Sequence, residues 1–262
     1  MIPDFHIIKK RFLDGKDITI YPIADIHLGA MEHKEAAWRE FRTKLLSEEN
    51  SYVVLGGDLI NNGIKSSVSS VYDETIRPRE QKKLMVEMLS PMKDKILCAV
   101  SGNHERRSSK EVDDDIVYDV MCKLDIEERY RENIAFLKIQ FGTPRANGSK
   151  NPTYILAVTH GSGSGVLTGS AVNKGEKFGY VLDGVDALII GHSHKAFATI
   201  PAKLKVDPQH DKVLLRPFKV VSCSSWLDYG GYAAQKNLLP AMHVDEKLIL
   251  CANEKKMGVE IW

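Results

Sequence analysis

Five apolar runs, each no longer than a single strand needs, stop on residues that can hold a metal ion or a proton. Asp17–Ala24 is followed by Asp25, Ile26 and His27, Tyr52–Leu55 by Gly56, Gly57 and Asp58, and Lys95–Ser101 by Gly102, Asn103, His104 and Glu105. Thr153–Thr159 runs into His160, and Val185–Ile190 into Gly191, His192, Ser193 and His194. Helical periodicities separate these runs. Ala37, Trp38, Phe41 and Leu45 repeat at helix spacing within 33–50, Pro78 opens a second helix with Leu84, Met85, Met88 and Leu89 on one face, and a third covers 170–182. Strand, helix, strand, helix, strand predicts an α/β (α+β) chain in which helices cover sheets.

A strand end is a rigid mount for polar chemistry. In an extended segment, residues two apart point the same way, so Asp25 should share a face with His27, and His192 with His194. Taken alone, Asp25 and His27 fit an ion pair or a hydrogen-bonded imidazole as well as half of a metal site. Asp58 fits a helix or turn cap as well as a ligand, although two glycines before it imply a close backbone approach. Asn103 and His104 alone fit a polar turn made at Gly102. The pair His192 and His194 is more telling, because two imidazoles held together repel when protonated and are best explained by a shared metal.

The rest of the chain adds boundaries. Phe5–Phe12 and Asp17–Ala24, joined around Asp14 and Gly15, predict an N-terminal hairpin. Residues 106–133 read as a helical insertion, in which Asp113, Asp114 and Asp115 precede Ile116, Val117, Val120, Met121 and Leu124 at helical spacing and so cap a helix rather than bind metal. Arg106 and Arg107 fit exposed surface arginines or grips for a phosphate oxyanion. The run Gly161–Gly165 lacks the Lys and hydroxyl ending of a nucleotide triphosphate loop and predicts only a pocket floor. From 196 to 262 the chain is strand-rich, with runs at 197–200, 213–215, 218–222, 240–244, 247–252 and 257–261 and a tight turn at Asp245 and Glu246. Trp226, Tyr229 and Tyr232 interleave with Gly230 and Gly231, an arrangement that serves either a partly buried loop or a stacking platform for a base.

A formal net charge of +1 selects neither nucleic acid nor membrane as a partner. Cys98, Cys122, Cys223 and Cys251 form no C-x-x-C pair and read as reduced, packed thiols. Without a leader peptide or a run of membrane-spanning length, the expected location is cytoplasmic, with no membrane partner. On that expectation the acceptor string Asn147, Gly148, Ser149 is a chance match, and no protein partner is inferable.

Jointly, the five strand ends resemble the calcineurin-like metallophosphoesterase family, whose pattern is D-x-H, G-D, G-N-H-E or G-N-H-D, H, and G-H-x-H, matched here from Asp25 to His194. The resemblance implies one domain over 1–262, built as two packed mixed β-sheets flanked by helices. It implies that Asp25, His27 and His194 bind one metal ion, that Asn103, His160 and His192 bind another, and that Asp58 bridges them. His104 would be the catalytic residue, facing the scissile phosphate without ligating. Carboxylate, imidazole and amide ligands suit two divalent ions of the Mn type, with Fe, Zn or Ni as alternatives, better than Mg or Ca. The implied reaction is hydrolysis of a phosphate ester by a hydroxide held between the ions. Leu59, Ile60, Asn61, Asn62 and Gly63 replace the V-D-R-G string of the Ser/Thr phosphatase branch and with it that branch's phosphate-gripping Arg. Gly57, Asp58 and Leu59 instead match the G-D-L string of the nuclease branch, although no partner-binding tail is expected after Ile261. The favoured expectation is therefore a nuclease-like phosphodiesterase acting on a nucleotide or nucleic acid, with Arg106, Arg107, Trp226 and Tyr229 as substrate contacts. A phosphomonoesterase is the alternative. A catalytically silent metal-binding scaffold is less favoured, because His104 and every ligand position are kept.

Overall fold

The computed structural model describes residues 5–65, 67, 71–143, 151–163, 165 and 167–262; the Asn147–Ser149 string and Ser164 of the glycine-rich run lie outside them. The strands are β1 (Ile7–Phe12), β2 (Ile18–Ile23), β3 (Ser51–Leu55), β4 (Ile96–Val100), β5 (Tyr130–Arg131), β6 (Ile134–Phe141), β7 (Thr153–Thr159), β8 (Ala187–Ile190), β9 (Phe197–Thr199), β10 (Ala202–Asp207), β11 (Lys212–Pro217), β12 (Lys219–Ser222), β13 (Glu246–Leu250) and β14 (Met257–Ile261). The helices are α1 (Glu35–Ser47), α2 (Pro78–Leu89), α3 (Glu105–Val112), α4 (Ile116–Lys123), α5 (Thr168–Val181) and α6 (Gly231–Gln235).

Two six-stranded mixed sheets form among the described residues, one in the order β1-β6-β7-β8-β12-β9 and the other β14-β13-β2-β3-β4-β5. In the first, β7, β8 and β12 run parallel; in the second, β2, β3, β4 and β5 do. The sheets face each other across a core that includes Ile18, Ile20, Val54, Cys98, Leu137, Ile139, Leu156, Ile189 and Val221. On the far side of the second sheet, Trp38, Phe41 and Leu45 of α1, Met85 and Leu89 of α2, and Val117, Val120 and Met121 of α4 cover Ile23, Val53 and Leu55. Helix α5 covers the outer face of the first sheet at Leu188, Ile190 and Val220. Strands covered on both faces must be apolar throughout, and all five residues of β4 are buried.

Two expectations about helix starts hold. Pro78 occupies the first turn of α2, and the Asp115 carboxylate accepts the Tyr118 N–H at 3.1 Å as the cap of α4. Segment 106–133 holds most of α3, all of α4 and β5, which extends the second sheet beside β4. The four cysteines are unpaired, and burial pushes the Cys98 thiol up to about 12. Among the described residues no helix is long and apolar enough to cross a membrane.

Other expectations need correction. The N-terminal hairpin does not form: Gly15 takes φ +67° in a turn, but β1 pairs parallel to β6 and β2 pairs parallel to β3. Ile8 and Phe12 belong to the inner face of the first sheet and Ile18 and Ile20 to that of the second, so the turn carries the chain across the core between them. Residues 240–244 are not a strand, and Glu246 is no turn residue but the start of β13, where its carboxylate accepts the Ser224 N–H at 2.7 Å. Strand β10 pairs with β11 in a separate hairpin that the sequence reading missed. One face of that hairpin carries Leu204, Val206, Val213 and Leu215, all exposed.

Candidate metal centre

Parallel strands place their carboxyl ends on one edge of a sheet, where side chains from several strands converge. Here the edges of both sheets converge, β2, β3 and β4 contributing from one and β7 and β8 from the other. Beyond the strand ends, β2 and β3 continue side by side: the Asp25, His27 and Leu28 N–H groups donate to the carbonyls of Gly57, Asp58 and Leu59 at 3.0 Å each. The sheets are tied across the gap by the His192 N–H donating to Asp25 Oδ2 and by His160 Nδ1 donating to the Gly56 carbonyl, each at 2.8 Å.

Residues 25, 27, 58, 192 and 194 are not extended, as the two-apart rule assumed. Their φ angles are +56°, +48°, +50°, +67° and +57°, in the left-handed region that non-glycine residues seldom adopt. Asp25 and His27 still meet, Oδ1 to Nε2 at 3.8 Å, whereas His192 and His194 turn into different groups, His192 beside Asp58 and His160 and His194 beside Asp25 and His27. Asp58 is held there by a close backbone approach. A Cβ on Gly102 would lie 2.0 Å from Asp58 Oδ1 and 2.2 Å from Asp58 N, so Gly102 is required for space rather than for a turn.

The predicted ligands meet as two adjoining groups. Asp25 Oδ1 lies 3.3 Å from His194 Nε2 and 3.8 Å from His27 Nε2, and those two nitrogens are 3.3 Å apart. In the second group His160 Nε2 lies 2.9 Å from Asn103 Oδ1 and 3.2 Å from His192 Nδ1, which is itself 2.7 Å from Asn103 Oδ1. Asp58 Oδ2 belongs to both, 3.2 Å from His160 Nε2 and 3.9 Å from His27 Nε2, while Oδ1 accepts the His104 N–H at 2.8 Å.

The donor set fits a cation. Asp25 and Asp58 are buried carboxylates, and the groups within ion-pair distance of them among the described residues are imidazoles. Asp25 Oδ1 is buried without a hydrogen bond. A carbonyl can only accept, so the bond to Gly56 fixes the proton of His160 on Nδ1 and turns the Nε2 lone pair inward. Burial raises both carboxyls, yet His194 beside Asp25 and His160 beside Asp58 bring them below the ordinary value. Burial likewise disfavours charge on His160 and His194, but Asp58 lifts the first to about 9 and Asp25 raises the second. Burial pushes His27 and His192 down. Protons on imidazole thus supply the positive charge that the carboxylates require, a role that divalent ions fill with more ligands apiece.

His104 stands at the margin. Its Nδ1 donates to the Asn61 carbonyl at 2.7 Å, and Nε2 faces the cluster 3.8 Å from Asp58 Oδ2; burial lowers its pKa and Asp58 opposes that. Arg107 donates to the same Asn61 carbonyl at 3.4 Å and to Ser67 Oγ at 3.1 Å, which places it beside His104. Arg106 does not join them, because its guanidinium is taken up by the carbonyls of Ser101 and Glu132. Trp226 is also misplaced as a stacking platform: it is 4% exposed and packs edge-on against Trp38 and Phe41. Its backbone N–H donates to the Asp25 carbonyl at 3.0 Å, so it supports the ligand loop from the core. Tyr229 remains exposed.

One important residue went unassigned in the sequence reading. Glu105 is fully buried, and its carboxylate accepts the N–H groups of Asp58, Leu59, Ile60 and Gly102 at 3.0, 2.6, 3.1 and 2.9 Å. It binds the Asp58 loop to the Asn103 loop; burial, then the nearby Asp58, raises its pKa to about 7. A Glu in the first turn of a helix is so ordinary that nothing local marks this task.

Comparison with family models agrees with the strand-end pattern. A family model described as calcineurin-like phosphoesterase matches residues 18–196. A predicted phosphoesterase from Streptococcus pneumoniae TIGR4 aligns over 94% of this chain and 98% of its own at 10% identity, TM-score 0.37. Chaetomium thermophilum Vps29 aligns over 94% and 97% at 8% identity, TM-score 0.42. A metallophosphoesterase from Sphaerobacter thermophilus aligns over 94% and 88% at 13% identity, TM-score 0.41. Comparison with curated proteins returns no match.

Proposed function

Since this chain belongs to the calcineurin-like phosphoesterase family, we propose that it is a binuclear metal-dependent phosphodiesterase, a single catalytic domain over 1–262. Asp25, His27 and His194 would hold one divalent ion and Asn103, His160 and His192 the other, with Asp58 shared between the two sets. The observation that carries this reading is the position of Asp58 Oδ2, 3.2 Å from His160 Nε2 and 3.9 Å from His27 Nε2. Mn is the proposed metal, with Fe, Zn and Ni as alternatives, and metal analysis of protein purified without added ions checks the choice.

Two divalent ions in such a site supply Lewis acidity toward phosphoryl oxygens and make water nucleophilic near neutral pH. The chain itself positions and moves protons. The Asn61 carbonyl fixes the His104 ring with Nε2 toward the reacting phosphate, whose negative charge offsets the burial that lowers the imidazole's pKa, so that the protonated ring gives its proton to the leaving oxygen. Glu105 holds the Asp58 and Asn103 loops in register, and the two sheets exclude water from the ligands' outer sides.

The test is hydrolysis of bis-p-nitrophenyl phosphate against p-nitrophenyl phosphate with Mn²⁺. Wild type should prefer the diester, His104→Ala should lose about 10²–10⁴-fold in kcat, and Asp58→Asn should lose both activity and bound metal. No hydrolysis of either ester, or unchanged variants, rejects the catalytic assignment. Nucleotides and single- and double-stranded nucleic acids are the natural substrates to try first, on the strength of Gly57, Asp58 and Leu59. A phosphomonoesterase is the second reading, supported by Arg107 beside His104, since a guanidinium suits a dianionic phosphate; faster monoester turnover would favour it. A cytoplasmic location is in keeping with four unpaired cysteines.

A further inference from the structure

Gln81 stands in the first turn of α2, on the face that this helix buries with Met85 and Leu89. A fully buried amide needs partners for its donors and its acceptor, and here each is specific. The Gln81 side-chain nitrogen donates to the Ile76 carbonyl at 2.6 Å and to Glu74 Oε2, and Gln81 Oε1 accepts the Asn62 N–H at 2.9 Å. The other carboxylate oxygen, Glu74 Oε1, accepts the Asn61 side-chain amide at 2.6 Å. Glycine makes room for both side chains: a Cβ on Gly63 would strike the Glu74 carboxylate, and one on Gly29 the Gln81 amide. Backbone contacts fix Glu74 as well. It forms an antiparallel bridge with Ala30, and the Thr75 N–H donates to the Gly29 carbonyl at 2.9 Å, so the carboxylate lies beside the loop that leaves His27.

The Asn62 N–H and the Asn61 carbonyl belong to one rigid peptide unit. Gln81 holds its N–H side, and its carbonyl side accepts His104 Nδ1–H at 2.7 Å. His104, the 61–62 peptide, the Gln81 amide and the Glu74 carboxylate therefore run head to tail, each donor ending on the next acceptor. Members of such a chain polarise and strengthen one another. Its direction is set at the acidic end. A carboxylate only accepts, so Glu74, with the Ile76 carbonyl, draws the NH₂ of Gln81 and leaves Oε1 for the peptide.

We propose that Glu74 is a positioning residue for His104: through the Gln81 amide and the 61–62 peptide it fixes the ring, keeping a proton on Nδ1 and Nε2 turned toward the reacting phosphate. Its second oxygen secures the same peptide through the Asn61 side chain. The inference rests on the reading of His104 as the group that protonates the leaving oxygen, and adds the third group that orients an imidazole in such a role.

The experiment compares wild type with Glu74→Gln, His104→Ala and the double variant, all Mn²⁺-loaded, on bis-p-nitrophenyl phosphate and diphenyl phosphate. Glutamine keeps the size of the side chain but sets an NH₂ against that of Gln81 or Asn61. Glu74→Gln should lower kcat about tenfold, with KM and bound metal little changed. The loss should be larger on diphenyl phosphate, whose phenolate leaves poorly without a proton. In the His104→Ala background the same substitution should change kcat by less than about twofold. Long-range ¹H–¹⁵N spectra of the Zn²⁺-loaded proteins at pH 8, with the His104 ring assigned by its loss in His104→Ala, supply a readout besides activity. They should show the proton on Nδ1 in wild type and a mixture of tautomers in Glu74→Gln. Equal losses with and without His104, or an unchanged His104 ring in Glu74→Gln, overturn the proposal and leave Glu74 as a brace between loops. If wild type hydrolyses neither ester, the catalytic reading fails, and the spectra alone decide whether Glu74 sets the ring.

Discussion

At the scale of single residues, the centre depends on side chains that never face the substrate. The Glu105 carboxylate accepts four backbone N–H groups from two loops, and a glutamine in its place would set an NH₂ against two of those donors. Glu105→Gln should therefore cost about 3 kcal/mol of stability and weaken metal retention. Urea unfolding of the metal-free protein and metal analysis of the loaded one measure the two effects. An unchanged midpoint would mean that the carboxylate does not hold these loops. The same scale separates what was legible from what was not. The residues now gathered around Asp58 were readable because each ends an apolar run, a pattern imposed by burial of the strands behind them. Trp226 was not, since an aromatic between polar loop residues looks alike whether its ring turns outward or, as here, into the core beside Trp38.

At the scale of elements, patterns spanning a whole strand or helix were reliable, and inferences about which strands pair were weak. Strand β7 matches its expected bounds, because an apolar run bounded by polar loops fixes a strand by itself. The partner of β1 did not, because an Asp-Gly turn specifies a reversal but not whether the chain returns to the same sheet. Strand β10 was missed because its Leu204 and Val206 alternate with lysines and are not buried, so no continuous apolar run marks it. The start of β13 carries a testable consequence. Burial raises Glu246 from the ordinary 4.5 to about 7, so the folded chain holds this proton more tightly than the unfolded one. The resulting stability is fully present below pH 4.5 and is lost as pH rises through 7, on the order of 3 kcal/mol in all. Glu246→Gln should remove most of that decline. Urea titrations of metal-free wild type and variant at pH 5 and pH 8 check it; an equal decline in both would clear Glu246 of the effect.

At the scale of the whole molecule, the metal centre is also the seam between two sheets, with the His192 N–H on Asp25 and His160 on Gly56 crossing it. Ions bound there would stabilise both halves together, by about 2.7 kcal/mol when free metal is a hundred times its dissociation constant. The melting temperature should accordingly rise with added Mn²⁺ and fall on chelation, as a single transition. Two separate transitions in calorimetry would show the sheets unfolding independently. The left-handed residues at positions 25, 27, 58, 192 and 194 have a further consequence at this scale. Each is held in a conformation that costs about 1 kcal/mol relative to glycine, so the chain is frustrated at the positions that give it chemistry. Selection for folding alone would wear these positions away, and selection for a functional site at these strand ends would oppose that drift. His192→Gly, assayed in chelator, should melt no lower than wild type, and a clear drop would show that the imidazole stabilises the fold even without its ion.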